Sequence, residues 1–145
     1  MGCCSDVPAN KRTDSKTKYS RDHQFDMYGA IVGKKERIIK ELFLSGFDPN
    51  YNMPCFNGKT TYHLAAESGD LEIAELLITH SADFDTIDFY GESPLMVACK
   101  RGDINMIDYI LRKNPILNRV TKFNLRLIDF VNKSNAKEIL KLFSY

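Results

Sequence analysis

Residues 57–88 recur 33 positions further along the chain as residues 90–121, with no gap between the two copies. The copies read NGKTTYHLAAESGDLEIAELLITHSADFDTID and YGESPLMVACKRGDINMIDYILRKNPILNRVT. A fixed period that keeps small and apolar positions is typical of a stacked array, because each unit must offer its neighbour the same face. The kept positions pair Gly58 with Gly91, Thr60 with Ser93, Ala65 with Ala98, Gly69 with Gly102, Asp70 with Asp103, Ile73 with Met106 and Leu77 with Ile110.

Each copy contains the pattern of two short helices. In the first copy, residues 62–66 form an apolar run of helix size that Gly69 ends. Asp70 stands where a side-chain oxygen can cap the free N–H groups of a second helix. Residues 71–78 then place apolar side chains at helical spacing, with glutamates between them. Residues 81–90 are predicted to be a projecting loop with extended ends.

This arrangement resembles the ankyrin repeat, whose pattern begins G-x-T-P-L-H-x-A-x-x-x-G and ends L-L-x-x-G-A-D-x-N. The first copy matches it at Gly58, Thr60, His63, Ala65, Gly69, Leu77, Ile78, Ala82, Asp83 and Asp85. The second copy matches it at Gly91, Ser93, Pro94, Leu95, Ala98, Gly102, Ile110, Leu111 and Asn118. The resemblance implies an all-α solenoid of stacked helix-turn-helix units with projecting loops, a fold that binds other proteins.

We expect about four units, at approximately residues 25–56, 57–89, 90–122 and 123–145. The first unit resembles the second half of the family pattern, and its first helix is predicted around Met27 and to end near Gly33. The last unit resembles a C-terminal cap, since terminal units meet water instead of another repeat. Its inner face is expected to consist of Ile128, Val131, Ile139, Leu140, Leu142 and Phe143.

The chain starts with MGCCS, and removal of the methionine would expose Gly2 beside Cys3 and Cys4. Such a start is similar to sequences that are myristoylated on the glycine and palmitoylated on the cysteines. The usual pattern has Ser or Thr at position 6, where this chain has Asp6. Residues 1–24 are therefore predicted to be a flexible, acylated tail. Its excess of basic residues either adds attraction to an anionic leaflet or only makes a soluble spacer.

Composition argues against several other classes of protein. A net charge of +1 gives no overall field, so nucleic acid is not expected as a partner. The longest apolar runs are far shorter than the roughly 20 residues of a membrane span, and no secretory core follows the first methionine. We therefore expect an intracellular protein on the cytoplasmic face of a membrane, with cysteines 3, 4, 55 and 99 as reduced thiols.

No catalytic or metal site can be assembled from the sequence. The three histidines, at positions 23, 63 and 80, offer no nucleophile, base and orienting acid together. In the resembled family the histidine at position 63 hydrogen-bonds loop backbone, so a structural role is predicted for it. Cys99 replaces an alanine and is expected to be a small buried side chain. The chain is predicted to be no enzyme and to need no metal or cofactor.

The resemblance instead implies a binding surface at the loop tips and the exposed side of the first helices. The residues predicted for it are Phe56, Asn57, Lys59, Glu67, Ser68, Phe89, Tyr90, Glu92, Lys100, Arg101 and Phe123. At least one of the four aromatic residues is expected to fold onto a neighbouring loop. The predicted function is that of a monomeric adaptor that binds another protein and is tethered to a membrane by its acyl chains. A soluble inhibitor or regulator of an intracellular enzyme or transcription factor is the alternative.

Overall fold

The computed structural model describes residues 19–131 and 135–144. Within these residues the chain forms seven α-helices, two 3-10 helices and no strand, so the predicted all-α class is confirmed. The α-helices are α1 (Arg21–Val32), α2 (Glu36–Leu44), α3 (Thr61–Ser68), α4 (Leu71–Thr79), α5 (Pro94–Arg101), α6 (Ile104–Leu111) and α7 (Ala136–Leu142). The 3-10 helices are Pro54–Phe56 and Leu127–Phe130.

The helices form two rows. The first helices of successive units pack side by side in the order α1, α3, α5 and the 3-10 helix Leu127–Phe130. The second helices α4, α6 and α7 pack next to one another behind them. One buried cluster, from Met27 to Ile139, runs between the rows through all four units. The stacked solenoid is therefore confirmed, and its loops project from one edge of the first row.

The helix ends follow from the repeated glycines and aspartates. Gly69 and Gly102 end α3 and α5 in the left-handed region, at φ of 74° and 75°. The carboxylate of Asp70 then accepts hydrogen bonds from the backbone N–H groups of Glu72 and Ile73 at the start of α4. A Cβ on Gly69 would lie 2.7 Å from the Asp103 carboxylate, so this turn requires glycine for close packing as well as for its backbone angle.

The ordered part of the first unit starts earlier than the predicted boundary at residue 25. Helix α1 begins at Arg21, with the Ser20 hydroxyl accepting from the N–H of His23. Ahead of it, the Tyr19 ring stacks on Phe47 at 4.4 Å between centroids. The predicted tail therefore overlaps the folded unit by six residues, 19–24, because one aromatic side chain in a polar run found a place in the core. The predicted end of this helix near Gly33 is confirmed.

The last unit packs through different side chains from those predicted. Leu127 and Phe130 are buried, whereas Ile128 and Leu140 are about half exposed. The prediction of Ile128 and Leu140 for the inner face was wrong because the expected α-helix is a short 3-10 helix, in which side chains repeat every three residues. Ile139 is buried as predicted, and Val131, Leu142 and Phe143 are partly buried against the core.

Two further predictions concern cysteines and membrane spans. Cys99 is free and fully buried, as expected. Cys55 is disulfide-bonded, so the prediction that all four cysteines are reduced thiols was wrong for Cys55. Among the helices of residues 19–131 and 135–144, none has the length and apolar character needed to cross a bilayer.

Candidate protein-binding surface

The loops between units form a row of hairpin tips joined by backbone hydrogen bonds. The N–H of Phe89 donates to the carbonyl of Asn57 at 2.9 Å, and 33 residues later the N–H of Lys122 donates to the carbonyl of Tyr90 at the same distance. Gly58 turns its tip at a φ of 76°, which L-residues with side chains rarely adopt. The repeat in the sequence therefore produces a regular, ladder-like edge on which the predicted aromatic residues are mounted.

Of the four predicted aromatic residues, Phe56 folds back onto the first unit. Its ring stacks on Tyr28 at 4.6 Å between centroids and meets the edge of Phe25 at 5.1 Å. The expectation that at least one tip aromatic packs internally is thus confirmed. Phe25 and Tyr28 were not identified from the sequence, because nothing in the spacing relates them to the loop that they cover.

The other three aromatic residues stay accessible. The Phe89 ring covers Gly58, where it leaves no room for a Cβ, yet Phe89 is 43% exposed. The Tyr90 and Phe123 rings lie 5.9 Å apart between centroids. Tyr90 is 40% and Phe123 67% exposed. Phe89, Tyr90 and Phe123 thus present a continuous aromatic strip, which we call the aromatic edge.

Beside the aromatic edge, each of the two central units carries one ion pair. Lys59 Nζ lies 3.0 Å from the Glu67 carboxylate, and Lys100 Nζ lies 3.2 Å from the Glu92 carboxylate. The two pairs occupy equivalent positions 33 residues apart, with the signs exchanged. All four predicted charges are therefore on one surface, but as neutralised pairs and not as free charges.

Arg101 and Ser68 differ in how far they are engaged by the fold. A guanidinium N–H of Arg101 donates to the backbone carbonyl of Glu67 in the preceding unit. The Ser68 hydroxyl donates to the Ala65 carbonyl at 2.9 Å, within its own helix. Arg101 remains exposed and borders the two ion pairs, whereas Ser68 is committed to the end of α3.

One exposed residue of this surface was not predicted. Leu125 occupies the position equivalent to Lys59 and Glu92 in the repeat and exposes its side chain. The 33-residue alignment would have identified it if the comparison had been extended into the last unit. The row of equivalent positions thus changes from cation to anion to aliphatic along the array.

His63 belongs to the framework of this surface. Its Nε2–H donates to the carbonyl of Glu92 in the next unit at 2.8 Å, and its Nδ1 accepts from the N–H of Thr60 at 3.2 Å. Both contacts require a neutral ring, and burial lowers its pKa to about 4. The predicted structural role of His63 is therefore confirmed.

The chemistry of catalysis and metal binding finds no support here. Burial raises the pKa of the Cys99 thiol to about 12, so a thiolate does not form at neutral pH. In the described parts of the chain, no group of three or more His, Cys, Asp and Glu side chains is placed to hold a metal ion. The predicted lipidation sites Gly2, Cys3 and Cys4 lie outside the described residues.

The family model of ankyrin repeats, in three copies, matches residues 27–121. The chain belongs to the ankyrin-repeat family. Ankyrin repeats mediate binding to other proteins and are in general not enzymes, so the chain is a protein-binding repeat protein.

Relatives of this ankyrin-repeat chain are much longer proteins. It is 40% identical to the protein fem-1 homolog A-like of Mus musculus over 72% of the chain and 15% of that relative. It is 42% identical to the ankyrin repeat domain-containing protein 13C-B of Xenopus laevis over 69% of the chain and 18% of the relative. The chain thus spans less than a fifth of either protein.

Proposed function

We propose that this ankyrin-repeat chain is an adaptor that binds another protein through the aromatic edge and is held at the cytoplasmic face of a membrane by acyl groups. The proposal that it binds through this edge rests on one observation. Phe89, Tyr90 and Phe123 remain accessible in a row at the loop tips, although the fold had internal packing to offer, as it did for Phe56. Exposed aromatic residues in a cluster are frequent anchors of protein interfaces.

The ion pairs beside the aromatic edge define the kind of segment that fits. Lys59 with Glu67 and Glu92 with Lys100 present both signs of charge within two neighbouring units. A purely acidic segment would therefore meet two carboxylates as well as the cations. A segment that carries charges of both signs and an apolar or aromatic anchor complements the surface better. We propose that the chain binds such a segment as a monomer.

Replacing Phe89 and Tyr90 together by alanine should weaken binding by roughly 2 kcal/mol, a loss of about 30-fold in affinity, if both are anchors. The partner is first recovered by cross-linking from cells, and affinities are then measured by calorimetry. Glu72→Ala with Glu75→Ala is the matched control, because both residues are exposed on α4 in the other row of helices. A third variant, Tyr90→Ala alone, guards against a folding defect, since Phe89 also packs on Gly58. Unchanged affinity in both aromatic variants, with a loss in the glutamate control, would place the partner on the outer face.

The membrane attachment rests on the start MGCCS, read with Met1 as the initiator. One myristoyl group alone gives reversible binding with a constant of about 10⁴ M⁻¹, so a stable anchor needs the palmitoyl groups as well. Gly2→Ala should therefore make the protein soluble in eukaryotic cells. Cys3→Ser with Cys4→Ser should leave a myristoylated protein that is mostly in the cytosol. Fractionation and mass spectrometry of the N-terminal peptide measure both outcomes.

A wild-type chain that carries no acyl group and fractionates with the cytosol would contradict the tether. The same partner measurements would then apply to a soluble regulator of an intracellular protein. The binding surface and the anchor are thus tested separately, because the alanine variants of the aromatic edge leave the N-terminal residues unchanged.

A further inference from the structure

The third hairpin of the array differs sharply in charge from the second, although the two are equivalent in the repeat. Residues 112–128, which we call the basic loop, contain five Lys or Arg residues and no Asp or Glu. The equivalent residues 79–95 contain four Asp or Glu residues and no Lys or Arg. The net charge of +1 therefore conceals a change of nine charges between neighbouring hairpins, since +5 minus −4 is 9.

The basic loop also exposes an unusual amount of apolar surface. Phe123, at its tip, is the most exposed of these side chains at 67%. Solvent-exposed apolar side chains that cluster in one segment commonly mark a site of interaction. The members of the cluster, all at least 39% exposed, are Ile116, Leu117, Val120, Phe123, Leu125 and Ile128.

Several cations of the basic loop are available to a ligand. Arg112 is paired with Asp108, and Arg119 donates to the carbonyl of Asp85 in the preceding hairpin. Lys122 and Arg126, in contrast, are exposed on either side of Phe123 and form no ion pair with any described residue. The loop tip therefore joins exposed apolar groups to uncompensated positive charge.

We infer that the basic loop binds an anionic lipid surface, so that the folded domain itself contacts the membrane. Apolar side chains that enter the interface between cations that meet lipid headgroups are the combination by which peripheral proteins bind anionic bilayers. Nucleic acid is disfavoured, because single strands are bound mainly by stacking on aromatic rings. Five of the six exposed apolar residues here are aliphatic. An acidic protein remains as the competing occupant and is an outcome of the test.

This contact is independent of acylation but compatible with it. The 17 residues from Gly2 to Lys18 reach at most about 60 Å when fully extended. An acylated tail of that length could insert in the bilayer while the opposite end of the array lies on its surface. Lipid binding by the basic loop would add a second signal to a myristoyl group, which alone holds a protein only weakly.

The test uses the full chain without acyl groups, produced in bacteria, and vesicles of phosphatidylcholine with or without 30% phosphatidylserine. The chain should sediment with the anionic vesicles at low salt and not with the neutral ones. Lys122→Gln with Arg126→Gln should weaken this binding about 30-fold, since each well-placed cation contributes about fivefold. The matched control, Lys11→Gln with Arg12→Gln, changes two cations of the N-terminal tail and should have a much smaller effect.

The absence of tryptophan from the sequence allows a direct test of insertion. Phe123→Trp introduces a single fluorescent probe at the tip of the basic loop, and its emission should shift to the blue with anionic vesicles. Leu44→Trp places the same probe at an 87% exposed apolar position in the first unit, where no shift is expected. A shift only at position 44, or binding that depends on Lys11 and Arg12 alone, would overturn the inference.

Failure to bind anionic vesicles at low salt would also overturn it, and would favour an acidic protein as the occupant of the basic loop. Because the protein in this experiment carries no acyl group, a negative result leaves the proposed tether unaffected. A protein that is unacylated in eukaryotic cells leaves the vesicle result equally unaffected.

Discussion

Lowering the pH from 7.5 to 5 should reduce the free energy of unfolding by about 2 kcal/mol through His63 alone. In the folded chain burial lowers the pKa of His63 to about 4, whereas an unfolded histidine titrates near 6.5. The neutral ring is therefore favoured by folding, and protons bind preferentially to the unfolded chain. The stability that this residue contributes is fully present above about pH 6.5, decreases as the pH falls, and levels off below about pH 4.

The physical cause is the junction between the second and third units. A protonated ring would have to keep its bond to the Glu92 carbonyl but could no longer accept from the Thr60 N–H. Urea unfolding followed by circular dichroism between pH 4 and 8 measures the effect. His63→Met should flatten the difference, since Met96 occupies the equivalent position of the next unit. It should also cost up to about 3 kcal/mol at every pH, because buried backbone groups lose their partner.

Carboxylates contribute to the pH dependence of both proteins, so the informative quantity is wild type minus variant. A pKa near 6.5 for His63 in the folded state, measured by NMR, would show that the ring is accessible to water and that this junction is looser than described.

Removing residues 1–18 in reducing buffer should change the thermal midpoint by only a few degrees, whereas removing residues 1–24 should lower stability by about 3 kcal/mol. The second truncation takes away Tyr19, whose hydroxyl donates to the Gly46 carbonyl at 2.8 Å and accepts from the Asp48 N–H at 2.7 Å. It also removes Gln24, which accepts from the N–H of Cys55 at 3.2 Å. Net hydrogen bonds of about 1 kcal/mol and aromatic pairs of about 1 kcal/mol give this total.

For a domain of this size, about 3 kcal/mol corresponds to a decrease of roughly 10 °C in the midpoint. Differential scanning calorimetry of the two truncated proteins measures it. Tyr19→Ala in the full chain is the finer control, because it removes the ring that packs between Phe47 and Tyr51 and leaves helix α1 whole. Equal midpoints for the two truncations would mean that the folded unit starts at residue 25 after all.

The 33-residue period predicted most of the fold because stacking requires the same residues at the same places. Gly69 and Asp70 end one helix and start the next in both central units, and both roles are visible in the sequence. Periodicity is weaker at the ends of the array. A lone Tyr19 gives no pattern, and the 3-10 geometry at Leu127–Phe130 shifts which side chains face inward.

The candidate surface was predictable in position but not in its contacts. The loop tips follow from the repeat, so Phe89, Tyr90 and Phe123 could be identified as exposed. That Phe56 covers Tyr28 could not, because the two residues belong to elements whose relative position depends on the fold. Likewise Lys59 reaches Glu67 across eight positions, which is not a spacing of neighbours on a helix.

The exchange of signs between the two ion pairs gives the surface an approximate symmetry. A half-turn within the plane of the first helices would bring Lys59 onto the place of Lys100 and Glu67 onto the place of Glu92. A bound segment therefore meets nearly the same charges whether it runs from the first unit to the last or in the opposite direction. Charge alone selects the composition of the segment but not its direction. That choice is left to Phe89 and Tyr90, which lie on one side and have no counterpart after the half-turn.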